Sequence, residues 1–295
     1  MGKASRIRQQ SAREKIAAQR VAAQRLERRN RILITGGSTL LVLVIVIAFI
    51  LVKANQGSNS ASSGGRTALP ASVVSQVTGV PASTLNAVGK GAVPSTTQSP
   101  LKPGTGAALT SAGKPQMLYI GAEYCPYCAA MRWSMAIALG RFGTFTTPLY
   151  GIHSSAKDVY PNTATLTFYK AGYASKYLTF TPVENLTVAK TLLQNPTAAQ
   201  NAIWARYEPN SQTRGYPFID FGNKLVLEAP IYNPGVLAGK TWSQIAAALK
   251  SPSSPIAQAV DGAANYVTGA ICRMTNNQPA SVCSAPAVTA VQSGL

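Results

Sequence analysis

Three hydrophobic patterns follow one another along this chain, and each predicts a different kind of segment. The first is an unbroken uncharged run, "ILITGGSTLLVLVIVIAFILV", at residues 32–52. As a helix rising about 1.5 Å per residue it reaches roughly 31 Å, the thickness of a bilayer's hydrocarbon core, so a single transmembrane helix is expected. A secretory signal would have a shorter apolar stretch and a small-residue cleavage site; "KAN" at 53–55 supplies no such site, and the helix is read as uncleaved. The second pattern is a pair of short apolar-periodic pieces between Leu69 and Val88, each introduced by Pro-Ala-Ser and expected to dock as short helices.

The third pattern begins after Lys114-Pro115, where the boundary of the main domain is placed. "QMLYIGA" is short, apolar and closed by glycine, which predicts a buried strand. Helical spacing follows from Cys125 to Leu139, with Gly140 as the stop. "TTPLYGIHSS" predicts a second strand, and the Thr, Tyr and Phe of residues 163–181 predict strands around a turn. Residues 185–207 read as helix, broken near Asn195-Pro196. Residues 218–221 and 225–228 flank a Gly-Asn turn and predict a hairpin, and helices are expected over 241–250 and 255–273. Strand, helix and strand followed by a hairpin and a helix is a mixed α/β order.

Charge gives this pattern a direction. Residues 1–31 carry ten Lys/Arg against Glu14 and Glu27, out of a formal net charge of +18 for the 295 residues. Such a block beside an apolar span sets topology, with the basic flank in the cytoplasm and everything beyond Val52 outside it. Contact with lipid through 32–52 is expected, and nucleic acid is not expected as a partner, although a basic arm alone is compatible with both. Residues 55–66 are a Gly/Ser/Asn tether. The organisation is therefore a basic cytoplasmic segment (1–31), a transmembrane helix (32–52), a linker with short docking helices (53–115), a folded domain (116–284) and a tail (285–295).

The candidate chemistry lies in four cysteines, Cys125, Cys128, Cys272 and Cys283. Outside the cytoplasm an even number points to disulfides. Cys125 and Cys128 in Cys-Pro-Tyr-Cys would open the helix that follows the buried strand. There the unpaired N–H groups and the helix dipole favour an anion and lower the first thiol's pKa. Pro126 suits the first helical turn, where its missing N–H costs nothing. One turn further in, the second thiol can attack a mixed disulfide on the first. As a brace the pair would close almost no loop. Zinc would need Cys272, Cys283 or His153 as further ligands, and their spacing argues against it; no metal and no cofactor is expected. Cys272 and Cys283 are read as a structural disulfide contributing about 2–3 kcal/mol, with a second redox pair as the competing reading. Beyond Val52 the chain has seven Asp/Glu, poor provision for paired-carboxylate catalysis, and no glycine-rich phosphate loop.

"LYIGAEYCPYC" and "RGYPFIDFGNKLVL" resemble the thioredoxin superfamily, in which a strand delivers Cys-x-x-Cys to a helix and a cis-proline loop faces it. The resemblance implies a thioredoxin-like fold in which Cys125 attacks, Cys128 resolves and Tyr216-Pro217 meets an extended substrate strand. The 88 residues between Cys128 and Pro217 imply an insertion between the Cys-x-x-Cys helix and the cis-Pro hairpin. Glu123 would stand where an internal carboxylate takes the proton of Cys128, or else is a surface or capping carboxylate. Tyr124 replaces the usual Trp, and with Tyr127 it would line the substrate side. "GAEYCPYCAAMRW", "ALGRFGTF" and the tyrosine-rich middle also resemble a membrane-anchored prokaryotic family of unknown function over Leu69–Ser284. The function so implied is a thiol–disulfide oxidoreductase on the outer membrane face. Its partners would be exported proteins with cysteines and a redox partner in or at the membrane. The alternative is a non-catalytic module that holds a partner in the same groove.

Overall fold

The computed structural model describes residues 65–94, 99–210 and 214–295. The basic block and the expected transmembrane helix lie outside the described residues. Among those described, no helix is long and apolar enough to cross a membrane. In chain order the elements are β1 (Thr67–Ala68), α1 (Ala71–Thr78), α2 (Ala82–Val88), β2 (Lys102–Pro103), β3 (Thr110–Ser111), β4 (Lys114–Gly121), α3 (Pro126–Gly140), β5 (Gly143–Phe145), β6 (Tyr150–His153), β7 (Ala164–Thr167), β8 (Tyr173–Ser175), β9 (Thr179–Glu184), α4 (Ala198–Tyr207), β10 (Phe218–Phe221), β11 (Leu225–Leu227), α5 (Trp242–Ala248), α6 (Pro255–Met274), α7 (Ala280–Cys283) and α8 (Pro286–Gln292). This is a mixed α/β fold with several sheets.

The principal sheet is organised around β4. On one side β9 runs parallel to it, pairing Gln116 with Thr179 through Gly121 with Glu184. On the other, β10 runs antiparallel, pairing Ile120 with Phe218 and Met117 with Phe221, followed by β11 and β2. A parallel strand buried on both faces needs a continuous apolar run, which "MLYI" provides; all four side chains are fully buried. The segment from β5 to β8 lies between α3 and β9 in sequence. It forms a two-stranded pair, β5–β8, and joins β1 in a three-stranded sheet, β1–β6–β7.

Helix α3 is buried around its whole circumference, which explains why its sequence lacks a polar face. Its carbonyls are held from outside the helix. Thr165 Oγ1 donates to Ala129 O at 2.8 Å, Tyr232 Oη to Ala130 O at 2.6 Å, and Ser134 Oγ donates to Val260 O on α6 at 2.8 Å. Trp133 is fully buried, with Nε1 donating to Ala164 O. Gly140 ends the helix where α1 crosses, and a Cβ there would collide with Thr78 O.

Two expectations need adjustment. Of the helix expected over residues 185–207, only Ala198–Tyr207 forms. The preceding residues make a looped flap whose donors and acceptors are taken locally: Asn185 Nδ2 donates to Gln194 O, Leu193 N to Asn185 O, and Thr187 N to Thr191 O. Lys190 there has φ +63°, which helix cannot accommodate. Secondly, residues 286–292 form α8, with Val288 and Val291 buried against the core. Cys272 and Cys283 are joined in a disulfide, Cα–Cα 5.6 Å, that ties α6 to α7 just ahead of it.

Asp261 lies on α6 with both carboxylate oxygens buried and without a hydrogen-bond partner among the described residues. Burial raises its pKa to about 8, and that of Asp220 to about 6. An unfolded Asp ionises near pH 3.9. As pH rises above that, the unfolded chain releases its proton while the folded chain holds it, so stability falls until the folded pKa is passed. Between pH 6 and pH 8 the loss belongs to Asp261, at about 1.4 kcal/mol per pH unit. Asp261→Asn is expected to flatten urea-unfolding stability across that window and to gain most at pH 8. An unchanged slope would show that the carboxyl ionises freely in the fold.

Candidate functional site

The site grows from the end of β4. Gly121 closes the strand, and a Cβ there would strike the Tyr119 hydroxyl two residues back on the same face. Glycine at 121 therefore lets a buried tyrosine lie beneath the turn that follows. Cys125 is the N-cap of α3, in extended conformation, and Pro126 occupies the first helical position. The Cys125 Sγ accepts the N–H of Cys128 at 3.3 Å, meeting one of the donors that a helix start leaves unpaired. As a thiol it also donates to the carbonyl of Tyr216 at 3.7 Å. The Tyr216-Pro217 bond is cis, and Pro217 is buried directly ahead of β10. The structure thus brings together Cys125, Cys128, Tyr216 and Pro217, with both cysteines as unbonded thiols.

The two thiols differ in their surroundings. The hydrogen bond from Cys128 lowers the Cys125 pKa, helped by the backbone N–H groups of Cys128 and Tyr127 and by the charge of Arg132, against the opposing effect of burial. Burial pushes the Cys128 thiol well up, and its hydrogen bond to Cys125 and the Cys125 charge add to this; Arg132 and the amide of Ala122 pull the other way. Cys125 is 5% exposed and Cys128 is wholly covered. One thiol is set to ionise and meet solvent, and the other to stay protonated beneath it.

Aromatic side chains surround the sulfur. Tyr124 and Tyr216 meet edge to face at 6.3 Å, Tyr127 meets Tyr160 at 6.0 Å, and Trp204 lies 5.3 Å from Tyr216. Lys190 of the flap sits over the Tyr124 ring, and the Tyr216 hydroxyl donates to Asn185 at the flap's base. Leu186, also on the flap, packs against the cysteine cluster. Among the described residues, the large apolar side chains left well exposed are Tyr150, Val159 and Leu192. Val159 adjoins Tyr160, and Leu192 is on the flap.

Glu123 is buried, but its carboxylate is engaged elsewhere. Arg66 donates to both oxygens at 2.8 and 2.9 Å, and Thr167 Oγ1 adds a third hydrogen bond. It is neither a surface group nor a simple cap; it anchors residue 66 and β7 to the turn before the cysteines.

Two residues beneath the thiols had no distinguishing signal as site residues in the sequence. Arg132, one turn beyond Cys128 on α3, is fully buried. Its Nε and Nη2 donate to the two oxygens of Glu184 at 2.8 and 2.6 Å, and Nη2 also donates to Ala122 O at 2.8 Å. Glu184 ends β9 and accepts the N–H of Phe168 as well.

Removing one partner of this pair strands a buried charge. Arg132→Met is expected to cost about 3–5 kcal/mol in urea unfolding, while Arg132→Met with Glu184→Leu recovers most of that. A single variant as stable as the parent would show that water reaches the pair. Alkylation of the full-length chain is expected to show one fast thiol, lost in Cys125→Ser. Its pH midpoint should lie below the 8.5 of an unperturbed cysteine. A midpoint at or above that value would remove the basis for a nucleophilic Cys125.

No three His, Cys, Asp or Glu side chains converge as metal ligands among the described residues. Comparison of the whole chain with curated proteins and with solved structures gives no match. A family model does match, over residues 105–273, a span that holds Cys125 and Cys128, the buried pair and the Tyr216-Pro217 cis bond and covers more than half of the chain. The chain belongs to that family, described as a domain of unknown function, DUF929.

Proposed function

We propose that this protein is a thiol–disulfide oxidoreductase of thioredoxin-like fold, tethered to the membrane and acting outside the cytoplasm on cysteines of exported proteins. The observation that carries this reading is the meeting of Cys125, at a helix start with its pKa lowered, and the Tyr216 carbonyl before a cis-proline. The strand order supports the fold. A central strand leads into Cys-x-x-Cys, a parallel strand flanks it on one side, and an antiparallel hairpin preceded by cis-Pro flanks it on the other. In this reading β5 to β8 are the insertion, lying ahead of β9. The apolar run at 32–52 and the basic flank support the tether and the orientation.

The chemistry is balanced by the two thiols alone. The Cys125 thiolate attacks one sulfur of a substrate disulfide; that bond breaks, and a mixed disulfide forms with Cys125. The departing substrate thiolate takes up a proton. Cys128 then loses its proton, attacks the Cys125 sulfur and releases the second substrate thiol, so two electrons pass to the substrate. Run backwards, the same steps oxidise a substrate dithiol, and a redox partner at the membrane resets the pair. Apolar Val159 and Leu192 beside the site suit unfolded segments as partners.

The full-length chain is expected to catalyse insulin reduction with dithiothreitol. Activity should vanish in Cys125→Ser, and Cys128→Ser should accumulate a mixed disulfide through Cys125. Absence of turnover, with Cys125 inert to alkylation after mild reduction, would favour a binding module that holds a partner in the same groove.

A further inference from the structure

We propose that Tyr119 and Arg132 form a buried electropositive seat for the thiolate of Cys128, so that the resolving step relies on a phenol and a guanidinium rather than on a carboxylate base. The inference rests on the thiol-exchange reading and concerns its second step.

The geometry sets up the seat from below. Cys128 and Arg132 are one helical turn apart on α3, so their side chains share a face. The guanidinium runs from that face to the Ala122 carbonyl, and Ala122 packs with Cys125 and Cys128. Glu184 occupies Nε and Nη2, while Nη1 is buried with no partner among the described residues. Tyr119 approaches from β4 into the space left by Gly121. Its hydroxyl is likewise buried with no partner among the described residues, the Cys128 side chain is near enough to raise its pKa, and its ring is 6.0 Å from the guanidinium. Two buried donors left unpaired on the side chains that flank Cys128 are costly while its sulfur is a neutral thiol. They are well used once it becomes an anion, because charge-assisted hydrogen bonds are the stronger kind.

Glu123, where the expected proton acceptor would stand, is already engaged by Arg66 and Thr167. Tyr119 cannot take the proton either, because burial raises its pKa well above the ordinary value. The Cys128 proton therefore leaves for the substrate thiolate released by the first attack. The seat stabilises what remains.

The seat also orders the two steps. While Cys125 is free, its charge and its hydrogen bond with Cys128 keep the Cys128 proton in place. A mixed disulfide on Cys125 abolishes both effects. Burial then still opposes ionisation, while Arg132 and the Ala122 amide favour it. Cys128 becomes a nucleophile only after Cys125 has captured a substrate.

The test uses the full-length chain labelled with ¹³Cβ-cysteine, in which thiol and thiolate give distinct shifts. Cys125→Ser removes the Cys125 charge as a mixed disulfide does, and should lower the Cys128 midpoint. Adding Tyr119→Phe should raise it by about one pH unit, equal to about a tenfold loss of thiolate. Adding Arg132→Met with Glu184→Gln, which deletes the charges together, should raise it further. Tyr119→Phe removes only an unpartnered hydroxyl and decides the matter alone if the double variant does not fold. In the parent background, Tyr119→Phe should slow release of a peptide from its mixed disulfide about tenfold at neutral pH, with the first attack unchanged. A midpoint and release rate that ignore Tyr119→Phe overturn the proposal even where insulin reduction is intact. Shifts in the midpoint without any insulin reduction would sink the oxidoreductase reading instead.

Discussion

A carboxylate and a guanidinium, both wholly removed from water, join the helix that carries the cysteines to the strand parallel to the one that delivers them. Arg132 belongs to α3, Glu184 to the end of β9, and the Ala122 carbonyl that also accepts from Arg132 follows β4. Three elements therefore meet at one charged knot at the ends of the parallel strands, directly below the turn that leads into the cysteines. Desolvating two charges is expensive, and the bidentate geometry with added backbone partners is the arrangement that offsets it. A hydrophobic trio could hold the same elements together. It could not place a fixed positive charge under a sulfur.

Much around this knot follows from the need to keep it dry. α3 is packed on every face, with its carbonyls held by Thr165 and Tyr232 and its Ser134 hydroxyl bonded to Val260 O of α6. The β5–β8 segment contributes here as well as at the periphery: Thr165 clamps α3, Thr167 holds Glu123, and the N–H of Phe168 completes Glu184. The stretch between α3 and β9 is thus part of the wall of the site.

The buried strand, the helix behind the cysteines, the hairpin and the long C-terminal helix were legible because each carries a local pattern: a short apolar run, 3.6-residue spacing, or a turn dipeptide. The cysteines were legible because their spacing has a mechanism. What could not be read depends on distant partners. The flap at residues 185–194 contains helix-compatible residues, and hydrogen bonds of Asn185 and the Thr187–Thr191 closure override them. Glu123 looked like a candidate base because its partner, Arg66, is 57 residues away. Arg132 and Glu184 are 52 residues apart, and neither signals a buried charge without the other.

The second pair of cysteines has a consequence for the first. Cys272 is fully covered and Cys283 is 3% exposed, against the flank of α8. Exchange requires a thiolate to reach a disulfide sulfur along the bond axis, and the Cys272 sulfur is covered completely. The crosslink between α6 and α7 is thus kinetically insulated from thiols arriving from solvent.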